Sequence, residues 1–111
     1  MRQITEKAVN KFNNNKNYKN NNTRIEYHYI FSEPTTIMYL HNNIIAQKLN
    51  KEIRISNCGW FSNTTKERLN GLLDSIGFNK IYQKNFEWFL ADKKWNGKPV
   101  KLIGANNWEY I

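Results

Sequence analysis

Cysteine occurs once, proline twice, histidine twice and acidic residues only nine times in 111 residues. A single thiol, Cys58, cannot close an internal disulfide, and with only His28 and His41 beside it no Cys/His spacing of a structural zinc site can be drawn. No metal or cofactor is expected. A spanning helix needs about 20 consecutive apolar residues, whereas the longest runs here, such as Ile37 to Leu40, are far shorter. No membrane partner is expected. The first residues, MRQITEKAVNKF, lack an apolar core followed by a small-residue cleavage site. They read as the start of a domain that stays in the cytoplasm. The acids fall at no repeated spacing of the metal or glycosidase kind, and Gly59, Gly71, Gly77, Gly97 and Gly104 form no phosphate-cradling loop. Cys58 would be a nucleophile only with a base in reach, for which His28 and His41 are the sole candidates. A lone cysteine at a strand end reads instead as a small buried residue, and His41, beside Asn42 and Asn43, as a turn-flanking hydrogen-bonding group. The chain is not expected to be an enzyme.

What the sequence does hold is basic charge, asparagine and aromatic rings. Seventeen Lys plus Arg give a formal charge of +8, and 40% hydrophobic with 14% aromatic residues suffice for one core in a single domain, 1–111. Nineteen asparagines, and 13 lysines against 4 arginines, fit an AT-rich coding sequence, as in a low-GC bacterium or its phage.

Residues 3–12 place Ile4, Ala8 and Phe12 on one stripe with Val9 adjoining, which predicts a short amphipathic helix. The segment 13–22, NNNKNYKNNN, has almost nothing to bury and reads as a loop. From Thr23 the period becomes two: Ile25, Tyr27, Tyr29 and Phe31 share one face of a half-buried strand. Ser32, Glu33 and Pro34 interrupt it, and TTIMYLH resumes as a second strand. Asn42-Asn43 predicts a tight hairpin, IIAQKL a third strand, Asn50-Lys51 a second short connection and EIRIS a fourth strand. Within SNTTKERLNGLLDSIGF, Thr64 and Glu67 suit a capping box, Leu69, Leu72, Leu73 and Ile76 line one helical face, and Gly77 sits where a left-handed residue closes the helix. KIYQKNFEWFLA reads as one long strand, DKKWNGKP as a polar turn, and VKLIG and NWEYI as two short strands or one broken at Gly104. The expected fold is α+β: a four-stranded antiparallel meander, a packed amphipathic helix, an N-terminal helix and two further C-terminal strands.

Gly59-Trp60, Thr64-Thr65, Arg68-Leu69-Asn70 and Leu72-Leu73 form the pattern GW-x3-TT-x2-RLN-x-LL. A Tyr-Leu-His-x-Asn hairpin at Tyr39 to Asn43 precedes it, an aromatic strand at Asn85 to Leu90 follows, and Lys19 to Thr23 supplies an approximate Lys-x-x-Asn-Thr segment. From about Asn17 to Leu90 the chain resembles a family of small phage proteins. The resemblance implies a phage origin and brings no reaction, cofactor or site residue. The motif also has a folding role of its own. Thr64 and Thr65 cap, Trp60 anchors the incoming chain, and Arg68 reaches an acid or carbonyl near the helix start. The sharper reading places Arg68 on a phosphate or a partner's carboxylate.

Charge is concentrated at the ends: residues 1–24 carry +5, 25–79 are neutral, and 80–111 carry +3. If both ends meet on one side, Lys16, Lys19 and Arg24 join Lys80, Lys84, Lys93, Lys94 and Lys98 in one field for polyanions, with Tyr18 and Trp95 available for stacking. Lysine outnumbers arginine, which disfavours base-specific reading. Sixteen Trp, Tyr and Phe exceed what one small core needs, and Trp88, Trp95, Trp108 and Tyr110 cluster late among lysines. Two functions are therefore expected. The first is a non-enzymatic phage protein that occludes a host defence protein, an anti-CRISPR acting on a nuclease effector, through Lys84, Lys93, Lys94, Trp95 and Lys98. The alternative is a nonspecific DNA- or RNA-binding module using Lys16, Tyr18, Lys19, Arg24, Lys80 and Arg68.

Overall fold

A computed structural model describes residues 2–111. Helix α1 (Gln3–Asn13) buries Thr5, Ala8, Val9 and Phe12, the stripe its spacing predicts, although Ile4 stays half-buried. The Asn-rich segment is not all loop. Tyr18–Asn20 forms strand β1, because Tyr18 reaches the core edge and its backbone pairs with β2 (Thr23–Ile30). β3 (Glu33–Leu40), β4 (Asn43–Leu49) and β5 (Glu52–Ile55) continue the meander, antiparallel throughout. The β4–β5 turn is Asn50-Lys51, as expected, but the β2–β3 and β3–β4 turns are Phe31-Ser32 and His41-Asn42, all four residues at positive φ, so each lies one or more residues before the position that the Pro34 and Asn42-Asn43 signals suggest. Pro34 is tolerated within β3 because β4 ends opposite Thr35, so no neighbouring strand needs its missing N–H, while its carbonyl accepts from Asn50 N–H at 3.1 Å.

Helix α2 (Asn63–Ser75) is capped by Ser62 rather than Thr64: extended Ser62 accepts from the Thr65 N–H at 3.1 Å. Glu67 makes no capping box, since its carboxylate is turned to Arg2, Thr5 and Arg68. Leu69, Leu72 and Leu73 are fully buried, and Ile76, at the cap, is 38% exposed. Gly77 at φ +74 closes the helix as expected. Phe78 N–H bonds Leu73 O at 2.9 Å and Gly77 N–H bonds Asp74 O at 3.2 Å. Trp60 does not anchor the incoming chain; it is 60% exposed.

The expected long strand at 80–91 is a hairpin, β6 (Ile81–Lys84) and β7 (Glu87–Leu90), turning at Asn85-Phe86, and β8 (Lys93–Lys94) adds a third short strand. β9 (Val100–Gly104) and β10 (Asn107–Tyr110) are separate strands. β9 pairs with β5, giving a seven-stranded sheet in the order β1-β2-β3-β4-β5-β9-β10, with β6-β7-β8 as a second sheet. The fold is α+β. One hydrophobic cluster joins Ala8 and Phe12, Leu69 and Leu72, Ile25 and Met38, and Trp88, Trp95 and Trp108. The helical layer protects Ile25 but not Tyr29, 70% exposed, or Phe31 in the turn, so the expected half-buried face of β2 holds only along its first half.

An aromatic groove as candidate functional site

In the three-stranded sheet, register fixes which side chains meet. Ile81 stands opposite Leu90, and Gln83 opposite Trp88, so Ile81, Trp88 and Leu90 point to the buried side. Tyr82 opposite Phe89 and Lys84 opposite Glu87 share the outer side, where the Tyr82 and Phe89 rings stack at 5.2 Å. Asp92 accepts from the Tyr82 hydroxyl at 3.1 Å; burial, and then this bond, push that phenol's pKa up.

Trp95 is not a surface anchor. It is 1% exposed, its indole N–H donates to Lys98 O at 2.9 Å, and its ring lies 6.1 Å from that of Trp88. Trp108 is equally internal, donating to Leu90 O at 2.8 Å. These three tryptophans pack the small sheet against the end of the large one, and the rings left at the rim are Phe61, Phe86 and Tyr110. Phe61 meets Trp88 edge-on at 5.1 Å, and Tyr110 meets Trp108 at 5.2 Å while its hydroxyl accepts from Asn96 N–H. Together with Glu87, Lys94 and Asn96 they enclose an open groove of about 500 Å³, floored by Trp88 and Trp95.

Of the expected partner-binding residues, Lys94 lines this groove, its ammonium 3.0 Å from Glu87. Lys84 flanks the Asn85-Phe86 turn and Lys98 follows the Trp95 loop, both exposed. Lys93 turns away, donating to Trp108 O at 3.1 Å with its ammonium 4.3 Å above the Trp108 ring. Phe61 and Phe86 were missed by sequence reasoning. The one available signal was Asn85, a turn former inside an otherwise alternating run.

Of the residues of the nucleic-acid alternative, Lys19 and Arg24 stand opposite each other on β1 and β2 and line one cleft, whereas Arg68 and Lys80 do not line it. Arg68 is buried, 1% exposed, donating to Thr23 Oγ1 at 3.1 Å, Thr5 Oγ1 at 2.6 Å and Glu67 at 2.7 Å. It pins α2 to α1 and β2. Lys16, Lys19 and Arg24 lie at the β1 edge and Lys93 joins the β10 edge, at opposite ends of the sheet order, so the two basic ends do not meet across it. Lys80 is exposed just before β6, and Tyr18 is half-buried. Cys58 is exposed and its thiol donates to Ile44 O at 2.8 Å; neither histidine bonds it among the described residues. Among those residues no group of three or more His, Cys, Asp or Glu is placed to share a metal, and no helix is long and apolar enough to cross a membrane.

Residues 1–108 match the family described as Kyanoviridae Gp96 protein. No curated protein and no solved structure matches the chain.

Proposed function

As the chain belongs to the Kyanoviridae Gp96 protein family, and so is a phage protein, we propose that it works by binding a host protein through the aromatic groove, without catalysing a reaction. The observation that supports this most is Phe86. It is 95% exposed and holds φ +66, a conformation that costs a bulky L-residue free energy. Phe31 is as exposed, 97%, at φ +51 in the β2–β3 turn; what sets Phe86 apart is that it lines the groove with Phe61 and Tyr110, where contact with a partner would bury it. Phe61 and Tyr110 extend the apolar surface around it, and Lys84, Lys94 and Lys98 give a charged rim, the arrangement of a contact centre surrounded by polar groups. The rim is net positive, which favours an acidic surface on the partner; a defence nuclease, whether a CRISPR effector or another, is the class of target expected from the sequence.

The test is affinity capture from lysate of the phage host, treated with nuclease, using the natural chain and Phe86→Ser side by side. The expected result is a host polypeptide retained by the natural chain and lost with Phe86→Ser, the weakening being about 30-fold for a contact of roughly 2 kcal/mol. Retention of no host polypeptide, or of the same proteins by both chains, would overturn the reading.

A further inference from the structure

On the β1 half of the large sheet, the turns β1–β2 and β3–β4 lie side by side, tied by a hydrogen bond from His41 N–H to Asn22 O at 2.8 Å. Between them is a cleft of about 360 Å³ lined by Lys19, Asn21, Asn22, Arg24, His41 and Asn42. No carboxylate belongs to that lining. Strand pairing sets Lys19 directly across from Arg24, and like charges directly opposite each other on a sheet destabilise it. Glu26 offsets only part of this. It binds Arg24 Nε but is shared with His28, and Lys19 Nζ has no partner among the described residues.

The polar groups of the cleft are sorted by kind. Arg24 lies over the Tyr39 ring, its Cζ 3.9 Å from the centroid, and one terminal nitrogen donates to Asn42 Oδ1 at 2.9 Å. Its other terminal nitrogen donates to nothing among the described residues. Asn22 Oδ1 accepts from the Thr23 hydroxyl at 2.8 Å. Both amide oxygens are thus occupied internally, which leaves the Asn22 and Asn42 amide nitrogens, the second Arg24 nitrogen and the Lys19 ammonium as donors around one space. A fixed guanidinium edge, an ammonium and two amide donors suit a tetrahedral oxyanion. The cleft, about 360 Å³, has room for more than one such group.

We propose that the Lys19–Arg24–Asn22–Asn42 cleft binds the phosphate ester of a nucleotide or of a nucleic-acid strand, as a site separate from the aromatic groove. The test is an amide-resolved NMR titration of the full chain with adenosine monophosphate and, separately, with a ten-nucleotide thymidine strand. Saturable shifts at Asn21, Asn22, His41 and Asn42 are expected with at least one probe. Binding of the mononucleotide marks a monoester site and binding of the strand alone a diester site. Lys19→Glu should weaken that binding about tenfold, the loss expected for one charge-assisted hydrogen bond. Lys51→Glu carries the same charge change on the exposed β4–β5 turn and should weaken it less than about twofold, as a surface charge beyond direct contact. Absence of saturable shifts with both probes, or equal losses in the two variants, would overturn the proposal. Both lysines are exposed, and the unperturbed spectrum of each variant checks that it folds.

Discussion

Arg68 shows how a residue typical of binding sites can be consumed by the fold. Its guanidinium ties α2 to Thr5 on α1 and Thr23 on β2, and Glu67 beside it is held by Arg2 and Thr5. Burial pushes the Arg68 pKa down and the charge of Glu67 pushes it back up. For Glu67, partial burial pushes the carboxyl up, but hydrogen bonds from Thr5 and Arg2, with the charges of Arg2 and Arg68, more than offset it and hold the group below its ordinary 4.5. Since the folded chain releases this proton more readily than the unfolded one, the stabilisation is full above about pH 4.5 and disappears as pH falls through the lower native value. Denaturant melts from pH 6 to pH 2.5 should therefore show the natural chain losing stability below pH 4.5 more steeply than Glu67→Gln. Parallel curves would remove Glu67 from the account. Arg68→Met should cost about 1–3 kcal/mol at pH 7, because two threonine hydroxyls lose a partner while Glu67 keeps Arg2.

At the scale of elements, hairpin turns carry the information that sequence patterns conceal. Asn85-Phe86 holds φ +52 and +66, the signs of a type I′ turn, for which Asn-Gly is the favoured pair. Phe86→Gly should accordingly stabilise the chain by about 0.5–1 kcal/mol, relief of backbone strain exceeding the entropy that glycine adds to the unfolded state. The measurement is the urea midpoint, and a lowered midpoint would show that the exposed ring is structural. The same chemistry explains what was legible. Helix α2 announces itself through Leu69, Leu72, Leu73 and Gly77, and the meander through period-two runs, because burial on one face imposes those spacings. The β6–β7 turn was hidden because phenylalanine occupies a position that signals continuation of a strand. The groove was hidden because its rim, Phe61, Phe86 and Tyr110, comes from three segments far apart in sequence, and because indole rings give no indication of which are floor and which are surface until Trp88 and Trp95 are seen packed. Ser62 displaced Thr64 as cap because the helix starts two residues earlier than the T-x-x-E pattern implies, freeing Glu67 for Arg2 and Arg68.

For the whole molecule, the decisive quantity is the separation of its two basic ends. Seven strands spaced about 4.8 Å apart put β1 and β10 roughly 29 Å from each other, within a molecule whose principal extents are 40 × 28 × 23 Å. That is about three Debye lengths at 0.1 M salt, so Lys19 on β1 and Lys93, held to Trp108 O on β10, act as separate charges. A single strand held only in the cleft meets its two cations, Lys19 and Arg24, which predicts a slope of about −1.4 when log affinity is plotted against log salt. Were the eight basic residues of the two ends to act together, the slope would be near −6. Fluorescence anisotropy of a labelled ten-nucleotide strand between 25 and 200 mM salt separates these outcomes. A steep slope would mean that nucleic acid spans the sheet from edge to edge, and the groove lysines would then serve phosphate rather than protein. A shallow slope, lowered further by Lys19→Glu and untouched by Phe86→Ser, would leave the groove free for its own partner while the cleft is occupied.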